Sequence, residues 1–338
     1  MKVLRLDGEQ AEGAFHRIAN DYTVIAPQKR AGRGRYSDSD LVTYEKVESL
    51  CEIELSSRTY FSAKSVLFPI REAMFSFKGD TLQETPADIK PTIVFLRSCD
   101  IHALGVLDAM FLEHGAQEDC YYLPRREKMT CFLLECPQPF DECFCVSMGT
   151  NRTQDYAVFL RQEAQGYAVQ ILDDKFQQYF PHGAEERVEP RFARKDPAPI
   201  SIPGRVDISL FTDTLWEEYS QRCIACGRCN TSCPTCSCFT IQNIPDSDDP
   251  RNVTRQRIWS SCQVKHFSRL AGNHEFRIPK GQRMRYKVLH KIYDFTKTFG
   301  FPMCVGCGRC EEVCPEYIGM RKCIERIAMI CSDNKGLE

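Results

Sequence analysis

One cysteine pattern occurs twice in the second half of the chain, and it limits what that half can become. Cys223-Ile224-Ala225-Cys226-Gly227-Arg228-Cys229-Asn230-Thr231-Ser232-Cys233-Pro234 returns as Cys304-Val305-Gly306-Cys307-Gly308-Arg309-Cys310-Glu311-Glu312-Val313-Cys314-Pro315, each copy spaced C-x2-C-x2-C-x3-C-P. Thiols this close together must curl around one face of a compact body. Gly227 and Gly308 stand where a side chain would obstruct that turn. Pro234 and Pro315 fix φ and leave no N–H unpaired where the loop ends.

This is the spacing through which bacterial ferredoxins hold [4Fe–4S] clusters, and in two-cluster ferredoxins the fourth Cys of each run ligates the other cluster. Carried onto this sequence, one cluster takes Cys223, Cys226, Cys229 and Cys314, and the other takes Cys304, Cys307, Cys310 and Cys233. The competing reading is zinc, whose cysteine pairs are usually set farther apart. Composition agrees with a metal protein: 20 of the 338 residues are Cys. The first residues lack the basic, apolar and small-residue segments of a signal peptide, so a cytoplasmic location is expected. There thiols stay reduced and bind metal more often than they form disulfides. The balance of 44 basic against 46 acidic side chains argues against nucleic acid as a partner, because such binding needs a basic surplus. No apolar run approaches the ~20 residues of a membrane helix.

The length predicts about two domains, and the pattern predicts an α+β fold. Residues 1–190 read as an N-terminal α/β-type domain. Its expected strands are Pro91–Leu96, Lys128–Glu135 and Tyr156–Leu160, and a helix is expected over Ile101–Glu113. The stretch Glu185–Arg205 carries Pro190, Pro197, Pro199 and Pro203 among charged residues, which suits an extended linker over 191–205. A short helix is expected over Asp207–Ser220. Residues 206–338 then form a helix-rich two-cluster ferredoxin-like domain with a long insertion between its motifs.

A third cysteine group lies in the first half: Cys99 at the expected C-terminal end of a strand, then Cys136, Cys143 and Cys145 around a loop shaped by Pro137 and Pro139. Strand ends are common functional positions in α/β sheets, so these four are candidates for a third [4Fe–4S] cluster. Asp100 or His102 could substitute as a ligand or stand beside it; ordinary buried thiols are the alternative. Cys236, Cys238 and Cys262 read as residues lining a cluster pocket or donating weak S–H bonds. Cys323 and Cys331 share a helical stripe and read as core, as do Cys51, Cys120 and Cys131. His266, His274 and His290 read as surface or hydrogen-bonded. The span Arg251–Lys297 is strongly basic. Its charges either form a solvated face or act on anionic clusters and acidic partners.

No G-x-G-x-x-G follows a strand and no Walker A is present, so flavin, nicotinamide and substrate have no evident place. Clusters exchange single electrons; such a chain should relay electrons and catalyse no reaction of its own. The sequence resembles the iron–sulfur electron-transfer subunits of anaerobic sulfite reductases and the related β subunits of cytoplasmic sulfhydrogenases. The resemblance rests on Arg255-Gln256-Arg257-Ile258-Trp259-Ser260-Ser261-Cys262, Ala271-Gly272-Asn273-His274-Glu275-Phe276-Arg277, His290-Lys291, Cys143-Phe144-Cys145 with Met148-Gly149-Thr150, and Arg97-Ser98-Cys99-Asp100. Asn273, where many hydrogenase relatives carry Gly, tilts it toward the sulfite reductase branch. That branch implies relay from an NADH-oxidising FAD subunit to a sirohaem subunit that reduces sulfite. The alternative is the iron–sulfur β subunit of a NiFe sulfhydrogenase.

Overall fold

A computed structural model describes residues 2–36, 38–79, 81–84, 89–180 and 188–333. The beginning of the proline-rich stretch, 185–187, lies outside the described residues.

The strands are β1 (Lys2–Leu6), β2 (Thr23–Arg30), β3 (Leu41–Lys46), β4 (Arg71–Lys78), β5 (Thr81–Glu84), β6 (Thr92–Arg97), β7 (Met129–Leu134), β8 (Val158–Glu163), β9 (Gly166–Ile171), β10 (Phe239–Pro245) and β11 (Val253–Trp259). Seven of them form one sheet in the order β1-β9-β8-β7-β6-β2-β3. Its centre is parallel: β2 pairs with β6 from Thr23↔Thr92, β6 with β7 from Thr92↔Met129, and β7 with β8. β6 is apolar almost throughout because both faces are covered. Ile93 and Phe95 face a core with Leu4, Phe15, Ile18 and Phe132, whereas Val94 and Leu96 face one with Leu104, Leu107, Leu133 and Phe159. The three strands expected in this half are present, and helix Ser98–Asp108 runs on through a π-helical turn at Ala109–Glu113.

The second sheet, β10-β11-β4-β5, is antiparallel and joins distant parts of the chain. β10 and β11 come from between the two cysteine motifs, yet β11 pairs with β4 through Arg257↔Glu72. Arg257 is 2% exposed. Its guanidinium holds Glu72 at 2.6 and 2.9 Å and Asp119 at 2.5 Å, among the rings of Phe68, Phe111, Tyr121 and Phe239.

The proline-rich stretch lies against the body, with the Asp196 carboxylate accepting from the Val146 and Ser147 N–H groups. After it, Asp207–Ser220 divides into a 3-10 turn at Ile208–Thr212 and a helix at Leu215–Arg222. A third core gathers Leu215, Trp216, Met284, Val288, Ile292, Ile324 and Ile327, and several motif cysteines pack on it. Cys323 is fully buried there. Cys51 and Cys120 are exposed, contrary to the expectation of core thiols: each sits in a short turn beside polar neighbours rather than on a periodic apolar face. Among the described residues no helix is long and apolar enough to cross a membrane.

Candidate metal centres

Each motif makes the same turn. The second and fourth residues after its first Cys have left-handed backbones: Ala225 (φ 59°) and Gly227 (φ 78°) in the first copy, Gly306 (φ 64°) and Gly308 (φ 70°) in the second. Gly227 and Gly308 then open one-turn helices at Arg228–Thr231 and Arg309–Glu312. Ala in the left-handed region costs about 1–2 kcal/mol, yet only the first copy carries it. The reason lies across the interface. A Cβ on Gly306 would stand 2.5 Å from the Phe144 carbonyl oxygen, and one on Gly308 would stand 2.4 Å from that of Glu142. The second motif is therefore pressed against the loop bearing Cys143 and Cys145, with Phe144 N donating to Gly306 O at 2.8 Å and Thr150 Oγ1 to Val305 O at 2.7 Å. Gly306→Ala should lower both the melting temperature and the iron content, whereas Ala225→Gly should leave iron content unchanged.

Three cysteine-walled cavities result. The outer one is lined by Cys223, Cys226, Cys229 and Cys314, with Cys310 in its wall. It opens at the surface, where Cys226 is exposed. The middle one is lined by Cys233, Cys304, Cys307 and Cys310, with Cys229 in its wall. The inner one is lined by Cys99, Cys136, Cys143 and Cys145, with Cys307 in its wall. Cys99 and Cys136 follow the C-terminal ends of the neighbouring parallel strands β6 and β7, the position where α/β sheets usually place ligands. Shared cysteines thus make the three cavities consecutive.

The donors fit an anionic polynuclear group. Among the described residues no three His, Cys, Asp or Glu side chains close on one point as a single ion requires; the sulfurs ring open space instead. Burial pushes the Cys304 thiol up to about 12 and raises those of Cys99, Cys136, Cys143, Cys145, Cys229, Cys307 and Cys310. Metal ligation would displace those protons. Two buried cations keep unpaired N–H groups, Arg97 through Nη1 and Arg283 through Nε and Nη1. Arg97 lines the inner cavity. A buried donor without a partner is costly, and an anionic cluster would relieve it.

Helix Lys280–Leu289 and the π-helical turn His290–Asp294 place Arg283, Lys287 and Lys291 one turn apart on a buried face. Lys287 lines both the outer and the middle cavity. Burial opposes its charge, but the Cys229 and Cys310 sulfurs, once they are thiolates, outweigh that and hold the ammonium above its usual range. Lys291 donates to Cys233 Sγ at 3.4 Å and Thr235 Oγ1 at 2.8 Å. The basic span therefore divides: these lysines face the cavities, whereas Arg251, Lys265 and Arg269 are exposed. The available sequence signal was the recurrence of Arg283, Lys287 and Lys291 at every fourth position beside Met284, Val288 and Ile292.

Asp100 is not a spare ligand. Its carboxylate is 3% exposed and taken up by Arg309, Nη1 at 2.6 Å and Nη2 at 2.8 Å, and Tyr44 OH donates to it at 3.2 Å. Arg309 also donates to Thr59. His102 is likewise engaged, at 2.8 Å from the Arg152 carbonyl. The sequence reading missed Arg58, which donates to Cys307 O at 2.9 Å and Cys143 Sγ at 3.6 Å. It also missed Lys64, buried on the ring of Trp259. Cys236 is buried, and its backbone carbonyl accepts from Lys64 Nζ at 2.9 Å. Asn273 (φ 62°) follows Gly272 (φ 75°). Asn tolerates that region as Gly does, so the residue does not separate the two branches.

Residues 222–318 match a family model described as a 4Fe-4S dicluster domain. The chain is also 29% identical over 344 residues to sulfhydrogenase 2 subunit beta of Pyrococcus furiosus, an alignment covering 97% of this chain and 98% of that one. With the cavities and their thiols, these similarities make the chain an iron–sulfur electron carrier that binds [4Fe–4S] clusters.

Proposed function

We propose that the chain is the iron–sulfur relay subunit of a cytoplasmic oxidoreductase complex, and that its catalytic partner is a hydrogenase of the sulfhydrogenase type. The observation that carries the relay is the run of shared walls from exposed Cys226 through Cys229, Cys310 and Cys307 to the inner cavity. In this reading Cys223, Cys226, Cys229 and Cys314 hold one cluster, Cys304, Cys307, Cys310 and Cys233 the second, and Cys99, Cys136, Cys143 and Cys145 a third. Such clusters, when bound, supply one-electron transfer at potentials set by charge and hydrogen bonds around the sulfurs. The protein's part is to fix the thiolates and to place positive charge beside them.

The hydrogenase partner is favoured over a sirohaem sulfite reductase by likeness to a sulfhydrogenase β chain over nearly the whole length. A flavoprotein that oxidises a nicotinamide would complete the complex. Anaerobic purification from the native source tests this reading: nickel in the copurifying catalytic partner is expected, and sirohaem there would restore the sulfite reductase assignment. The lysines give a second test. Lys287→Met removes a charge shared by two sites, so the outer and middle potentials should both fall while the inner one changes little, as read by redox titration with electron paramagnetic resonance.

A further inference from the structure

Two cysteines outside all three cavities are also brought together. Cys238 precedes β10 and Cys262 follows β11; Ser260 N donates to Cys238 O at 2.9 Å, and a turn closed by Val264 N to Ser261 O carries Cys262 back toward it. The Asn230 side-chain amide faces both, with Nδ2 at 3.1 Å from Cys262 Sγ and 3.9 Å from Cys238 Sγ, and Gln263 Nε2 approaches Cys262 Sγ at 3.4 Å. This is unlike the apolar setting of Cys323, an inert core thiol. Amide donors aimed at a sulfur favour its thiolate, the reactive form. The same Asn230 amide touches a candidate cluster ligand, accepting from Cys229 Sγ at 3.6 Å through Oδ1.

We propose that Cys238 and Cys262 form a redox-active dithiol that stores an electron pair beside the relay. The inference rests on the relay reading, because the electron donors and acceptors it names are one-electron iron–sulfur centres. On oxidation the two S–H bonds break, one S–S bond forms, two protons leave to water, and two electrons pass singly to two oxidised iron–sulfur centres. Reduction reverses each change. Cys238 is partly exposed and Cys262 buried, so protons exchange at Cys238 while Cys262 is held by Asn230 and Gln263. Such a pair would let one-electron centres serve a two-electron partner.

The test uses the holoprotein, poised anaerobically with mediators at a series of potentials, then denatured in excess alkylating agent and mapped by mass spectrometry. A bridged peptide pair containing Cys238 and Cys262 is expected at the oxidising end, and two alkylated thiols at the reducing end, through a two-electron transition. Cys262→Ser should keep the wild-type iron content and accept two electrons fewer per chain in coulometry. Free thiols at every potential in protein with full iron would overturn the dithiol and leave the relay intact. Loss of about four irons in Cys262→Ser would overturn it by making the residue a ligand. Wild-type protein without iron would instead overturn the relay reading.

Discussion

Replacing Arg309 with methionine is expected to lower the stability of the chain by about 3–5 kcal/mol, the usual cost of breaking a buried ion pair by removing one partner. Both partners are almost fully buried, Arg309 at 2% and Asp100 at 3% exposure. The loss strands the Asp100 carboxylate with only Tyr44 for a partner and leaves the Thr59 groups without their guanidinium donor. Arg309→Lys should recover part of the loss, since lysine keeps the charge but not the paired fork. Combining Arg309→Met with Asp100→Asn should also recover part of it, because no uncompensated charge then remains. Denaturant unfolding of the holoprotein under anaerobic conditions checks all three. A cost below about 1 kcal/mol, the level of an exposed pair, would mean that this ion pair does not fasten the second motif to the sheet domain.

The second large effect is expected at Cys307, whose side chain stands in the walls of both the middle and the inner cavity. Cys307→Ser should remove about four irons and reduce transfer between the ends of the relay to that of protein without clusters. Reduction of the outer site by a small chemical donor should persist, because exposed Cys226 and its partners are untouched. Undiminished transfer between the physiological partners would place the middle site off the electron path.

Much of the local chemistry was legible in the sequence because it depends on short separations. The spacing of each motif, its tight turn and its closing proline lie within one loop, and motif thiols line the outer and middle cavities. Cys99 was placed at a strand end because β6 is a run of apolar residues ending in a polar group. What could not be read was decided across long separations. Arg309 and Asp100 are 209 positions apart, and the pairing of β11 with β4 joins two amphipathic strands that have no local reason to choose each other. Gly306 was given no role from the sequence; its neighbour across the interface, the Phe144 carbonyl, is what excludes alanine.

Periodicity also has limits at charged and sulfur-bearing positions. Lys287 and Lys291 were counted within a basic span that could have been a solvated face, because burial of a lysine depends on the anion it meets and not on its own hydropathy. Cys51 and Cys120 were assigned to the core on residue type alone, and short turns left them exposed. Cys238 and Cys262 were read as lining a cluster pocket or donating weak S–H bonds; the β10–β11 hairpin and the turn after it instead bring them to each other.

The most direct test of three consecutive cluster sites is a count of iron and acid-labile sulfide in protein prepared without oxygen, wild type beside Cys143→Ser. The account predicts about twelve of each per wild-type chain and about eight in the variant, with the stable fold retained. About eight in both proteins would contradict it, leaving Cys99, Cys136, Cys143 and Cys145 as ordinary thiols and the relay one centre shorter.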